Sequence, residues 1–259
     1  PTDSAQFLIF GAAVVPMAQA AEVVRGVQQI RLEAGYPAKA EFKFDTRSRP
    51  PNVSKPAFDA AKSNVLDLAF KCGVRFMACM VHHGIAARID AKNRPLWSLK
   101  TLLCEFDLFL SREKTTGICA VDRFDTAHAI LSMILAGGVD PSGDLGKFQR
   151  DLSNIWMYSV TSISCSHLCS ICDIVLGAFR YCVNSTPPAD VARKIYPQVR
   201  RLFMHAPRDP RTIEGWGLFL RPKNLKAKIY VDAYDRVRAH LLDLEGSSPT
   251  QQSATPSPV

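Results

Sequence analysis

Residues 7–15 read FLIFGAAVV, a run of aromatic, branched and small apolar side chains closed by Pro16. Nine residues are too few for a typical helix, and the branched and aromatic content favours extended backbone, so the run reads as a buried strand. Next to it, residues 17–32 place Ala20, Val23, Val24, Val27 and Ile30 at three- and four-residue steps, which predicts a helix stopped by Gly35 and Pro37. Further out the alternation repeats. Residues 41–44 (EFKF) look like a second short strand, 55–70 a helix closed by Gly73, and 74–81 (VRFMACMV) another strand. Residues 95–110 carry Leu96, Leu99, Leu102, Leu103, Phe106 and Leu110 at helical spacing, with Pro95 suited to a first turn. A strand at 117–121 ending on Asp122, a helix at 125–135, a loop at 137–146 and a strand at 155–160 follow. Residues 166–182 form a long helix with the stripe Ile171, Ile174, Val175, Ala178, Phe179 and Cys182, and helices at 189–203 and 225–242 close the series. Strands alternating with helices define the α/β class with a partly parallel sheet.

The chain has 259 residues, 47% of them hydrophobic and 22% charged, values of a folding globular protein and not of a disordered or collagen-like one. The reading is one α/β domain over residues 1–245, followed by a disordered tail at 246–259, which has almost no charged or large apolar side chains. The longest weakly polar run is shorter than the roughly 18 to 20 residues of a spanning helix, and no basic cluster precedes it. The expected setting is therefore cytoplasmic, away from membranes, with the 8 cysteines as thiols. The net charge of +8 is unevenly placed. Residues 180–240 hold 13 Lys and Arg against 5 Asp and Glu, while the rest of the chain is balanced. A polyanion-binding face needs such concentration, and a solvated helical surface would also account for it.

Three acids stand at the edges of apolar elements: Glu41 opens EFKF, Asp122 ends GICAV, and Asp173 interrupts the helix at ICDIVLGAF. Carboxylates so placed need basic side chains, backbone amides or a divalent cation as partners. Arg180, seven residues after Asp173, shares its helix face and would steady a phosphate or neutralise Asp173. Cys165, His167, Cys169 and Cys172 lack the second ligand pair of a structural zinc site, and helical spacing puts the three cysteines on one stripe, as in a packed core. No GxGxxG or GxxxxGK[ST] loop is present.

The segments AEFKFD, GICAVDRFD and SHLCSICDIVLGAFRYCVN, in this order, resemble domain-of-unknown-function family 3800, a bacterial and phage family held to have an RNase-H-like fold. The closing GLFLRPKNLKAKIYVDAYDRVRAHL is similar to that family's end, and the likeness spans residues 5–240. The resemblance implies a mixed sheet flanked by helices, with Glu41, Asp122 and Asp173 as catalytic metal ligands for Mg²⁺ or Mn²⁺, and Lys43, Arg123 and Arg180 as secondary, phosphate-binding residues. It implies a metal-dependent nuclease or phosphodiesterase with nucleic acid as partner, RNA or DNA being unresolved. Family members begin with an apolar strand ending in Asp-Glu-Ser, and this chain starts too late for it, so the expected fold lacks its first strand and first acid. A second reading therefore stays open: a non-catalytic nucleic-acid-binding or protein-partner module with a degenerate metal site.

Overall fold

A computed structural model describes residues 6–88, 94–139, 150–185 and 190–246. The molecule is mixed α/β. In chain order the elements are β1 (Phe7–Val14), α1 (Ala20–Glu33), α2 (Lys55–Lys71), β2 (Arg75–His82), α3 (His83–Ala86), α4 (Arg94–Arg112) and β3 (Gly117–Asp122). Then come α5 (Ala127–Gly137), β4 (Ile155–Thr161), α6 (His167–Asn184), α7 (Asp190–Arg200), β5 (Leu218–Arg221) and α8 (Lys228–Leu244). One sheet has the order β1-β2-β5 and the other pairs β3 with β4. β1 runs antiparallel to β2, Phe7 opposite His82 and Val14 opposite Arg75, whereas β5 is parallel to β2 and β3 is parallel to β4.

β2 shows why its sequence is almost wholly apolar. Successive side chains of a strand point to opposite faces. Phe76, Ala78 and Met80 enter a large core built with α1, α2, α6, α7 and α8, while Met77, Cys79 and Val81 enter a smaller one with α4. Burial on both faces replaces alternation by a continuous apolar run. β1 follows the same division, but only Phe7 and Ile9 are buried and its other six residues are half-exposed. Among the described residues it has a strand on one edge only, so the expected fully buried strand is corrected to a half-covered edge.

The predicted stripe of α6 is buried at all six positions. α6 packs on β1, α1, α2, α7 and α8. α4 joins the two sheets: Leu102 belongs to the core of the first, Leu103, Cys104 and Leu110 to that of the second, and Phe106 and Phe109 touch both.

Some expectations change. Residues 41–44 form no strand, because no neighbouring strand pairs with them. The helix expected to reach 203 ends at Arg200. Phe76 on β2 donates its N–H to the Leu202 carbonyl and accepts from the Met204 N–H, which draws residues 202–204 to the sheet edge. β5 was unforeseen, since four residues flanked by Gly217 and Pro222 are too short to show a period. Most of the loop at 137–146 and nearly all of the tail at 246–259 lie outside the described residues.

Asp107 on α4 is 2% exposed and ties the second sheet to the first. Its Oδ1 accepts from the Asn154 backbone N–H (3.0 Å) and side-chain amide (2.9 Å), and its Oδ2 accepts from Arg150 Nη2 at 2.9 Å. Replacing Asp107 by Ala leaves these donors without their acceptor, and because Arg150 keeps a third of its side chain in solvent the cost is that of hydrogen bonds to a buried charged group, about 1.5–3 kcal/mol. Urea unfolding should show that loss for Asp107→Ala; a change below about 1 kcal/mol, the size of an exposed pair, would mean that the carboxylate does not anchor β4.

Candidate functional site

Along residues 41–44 the side chains alternate between two sides. Phe42 is buried with its ring 4.8 Å from that of Tyr36. Phe44 is half-buried under the Lys62 ammonium, which stands 4.6 Å from the ring centroid. Glu41 and Lys43 therefore share the other side, where Lys43 Nζ lies 2.6 Å from Glu41 Oε2. Phe44 can lie this close to α6 because residue 177 is Gly: a Cβ there would stand 2.4 Å from Phe44 Cβ.

This contact brings the segment to Asp173. The Phe44 N–H donates to Asp173 Oδ2 at 2.8 Å. Burial pushes the Asp173 carboxyl above the ordinary carboxylate pKa, and the Asp122 charge pushes the same way, against the Phe44 N–H, Lys43 and Arg180. Asp122 is exposed at the end of β3, and its Oδ1 accepts from the Arg123 backbone N–H at 2.9 Å. The hydrogen bond to Glu41 raises the Lys43 pKa, and the charges of Glu41, Asp173 and Asp122 add to it against the cost of burial. One ammonium thus stands in the field of three carboxylates contributed by the 41–44 segment, β3 and α6.

The structure pairs Lys43 with Glu41 and hydrogen-bonds their segment to Asp173, while Asp122 is near enough for its charge to act on Lys43 and Asp173. Arg180 is exposed on α6 and its charge still reaches Asp173. Arg123 lines a different cavity, which none of the four lines. The donor chemistry, hard carboxylate oxygens, suits Mg²⁺ or Mn²⁺. Among the described residues, however, no three His, Cys, Asp or Glu side chains stand close enough together to hold a metal ion. The expected cysteine stripe is also corrected. Cys165 is exposed and precedes α6, while Cys169 and Cys172 are half-buried near Thr161 Oγ1 (3.7 Å) and the Gly11 carbonyl (3.9 Å).

The C-terminal positive face is reduced by pairing. Arg193 pairs with Asp243, Arg200 with Glu245, Arg201 with Asp67, Arg221 with Glu105, Lys228 with Asp232, and Arg238 with Glu214 and Asp235. Asp67 and Glu105 lie outside the 180–240 window and Asp243 and Glu245 just beyond it, so its charge excess overstates its surface potential.

Sequence reasoning missed Thr161 and Ser162, the last residue of a parallel strand and the one after it, where ligands of α/β sheets commonly bind. It also missed Asp107, whose position inside an apolar helix was the available signal.

Among the described residues, no helix is long and apolar enough to cross a membrane. Compared with models of protein families, curated proteins and solved structures, the chain matches none.

Two variants test this geometry. Since folding raises the Asp173 pKa, the ionised carboxylate opposes folding at neutral pH, and the opposition fades as pH falls through the raised folded-state value and is gone below the unfolded-state one. Asp173→Asn keeps an oxygen for the Phe44 N–H, so its melting temperature at pH 7.5 should equal or exceed the parent's, with any advantage shrinking towards pH 4. A lower value at pH 7.5 would show that Lys43 and Arg180 outweigh burial. For Gly177→Ala, the displaced Phe44 should expose its N–H to faster amide exchange, with about 1–3 kcal/mol of destabilisation from overpacking; unchanged exchange would mean that the segment does not depend on the glycine.

Proposed function

We propose that the chain is a divalent-metal-dependent nuclease or phosphodiesterase of RNase-H-like type, acting on a nucleic-acid phosphodiester through Asp122 and Asp173. What supports the reading is the hydrogen bond that holds the Glu41–Lys43 segment on Asp173, with the Asp122 charge acting on both Lys43 and Asp173. The topology is consistent with it: β1-β2-β5 and β3-β4 would be two parts of one helix-flanked mixed sheet bridged by α4.

Mg²⁺ commonly binds through one or two carboxylates and keeps several waters, so Asp122 and Asp173 would suffice as protein ligands. A cation there would supply a lowered pKa for bound water and neutralisation of charge on the phosphate. Glu41 would act through Lys43, holding the ammonium between the acids. Arg180, exposed on the face of α6 that carries Asp173, would meet the backbone of a bound strand.

The second reading, a binding module with a degenerate metal site, is favoured by the engagement of Glu41 with Lys43. A calorimetric Mn²⁺ titration of the full chain separates the two. The nuclease reading expects binding at micromolar to sub-millimolar Kd, weakened at least about tenfold by Asp122→Asn and by Asp173→Asn, the loss of one charged ligand being worth 1.4 kcal/mol or more. No binding, or equal affinity in parent and both variants, would overturn it in favour of the module.

A further inference from the structure

A cavity of about 500 Å³ opens where the chain leaves the carboxyl ends of the parallel strands β3 and β4. Arg123 comes from the end of β3, Thr161 and Ser162 from the end of β4, Asp125 and His128 from the start of α5, and Cys165 from the approach to α6. The volume falls in the range of sites for small organic ligands. Its position at the carboxyl edge of a parallel pair is where crossover connections leave a crevice.

The lining has a definite chemistry. A guanidinium, an imidazole and two hydroxyls are the donor types that recognise a tetrahedral oxyanion, and a guanidinium can engage two of its oxygens at once. The first turn of α5 contributes through His128, whose side chain lines the cavity. Asp125 is the one opposing charge. It discriminates against an anion that brings no hydrogen bonds and leaves an advantage to one that takes several.

We propose that this cavity is a binding site for a small phosphate-bearing molecule, held by Arg123, His128, Thr161 and Ser162. It is separate from the acidic cluster and does not depend on the phosphodiesterase reading.

Cys165 supplies a built-in reporter. Its Sγ lies 3.1 Å from Ser162 Oγ, and that hydroxyl, with the Ser162 backbone, lowers its pKa. It is the one exposed cysteine of the eight. Iodoacetate and iodoacetamide alkylate a thiolate by the same displacement: the S–C bond forms, the C–I bond breaks and iodide leaves. They differ in the anionic charge of the first, so their rate ratio at Cys165, relative to free glutathione, reads the potential in the cavity. Fragmentation of the tryptic peptide 151–180 assigns the labelled cysteine.

In the full chain the ratio should exceed that of glutathione by at least about threefold, the gain one exposed unit charge gives at contact distance in high dielectric. Arg123→Ala should abolish the excess and Asp125→Asn should enlarge it. Inorganic phosphate should slow iodoacetate labelling at an ionic strength held constant with sodium chloride. A ratio equal to that of glutathione overturns the proposal, and so does an excess that inorganic phosphate leaves untouched. If a mononucleotide protects at lower concentration than inorganic phosphate, the ligand is a small organic phosphate; equal protection assigns the site to free phosphate. These labelling rates need no metal, so their failure would leave the Mn²⁺ titration standing, and the reverse holds as well.

Discussion

The burial of α6 is the constraint on which the rest depends. Its stripe from Ile171 to Cys182 meets the first sheet and four other helices, and a helix buried over that width has no freedom to rotate. Once its rotation is fixed, residue 177 faces the 41–44 segment and residue 173 faces the same gap one turn away. Only Gly at 177 admits Phe44, and only with Phe44 seated does its N–H reach Asp173. The acid is therefore positioned by an apolar contact. Its charge is costly at this depth, and the backbone amide, Lys43 and Arg180 offset part of the cost.

This dependence explains which parts of the molecule were legible. β2 and α6 are buried along their lengths, so their periods, continuous in one and helical in the other, stand out in the sequence. EFKF has the alternation of a strand, with Phe42 and Phe44 inward and Glu41 and Lys43 outward, but alternation reports an extended backbone over a packed surface and carries no information about a pairing partner. β5 is the converse: its pairing with β2 gives it strand character, and its four residues show no pattern. The cysteine stripe failed because α6 begins at His167, so Cys165 stands before the helix and outside its face.

The candidate acids carry a local signal in the sequence, whereas the availability of a basic residue does not. Glu41 and Asp122 bound apolar segments and Asp173 interrupts one, a local signal. Whether a lysine or arginine is available to a ligand depends on distant carboxylates: Arg201 finds Asp67 and Arg221 finds Glu105, more than a hundred residues away in each case. Such pairs form across the packed faces of helices and sheets, and no window of sequence contains both partners. Charge counted along the chain is thus a poor guide to charge presented at the surface, whereas an acid inside an apolar run announces a partner wherever that partner lies.

Asp122 and Arg123 are neighbours in sequence and serve different places. Backbone alternation at the end of β3 sends successive side chains to opposite sides, so the carboxylate joins α6 and the 41–44 segment while the guanidinium lines the cavity beside α5. The Arg123 N–H donated to Asp122 Oδ1 fixes the point at which the strand ends and the two directions part. One strand terminus would therefore supply an acid to the proposed metal site and a base to the proposed phosphate site. A shift of one residue in the register of β3 against β4 would exchange the two, and the Asp107–Asn154 anchor at the opposite end of the pair opposes that shift.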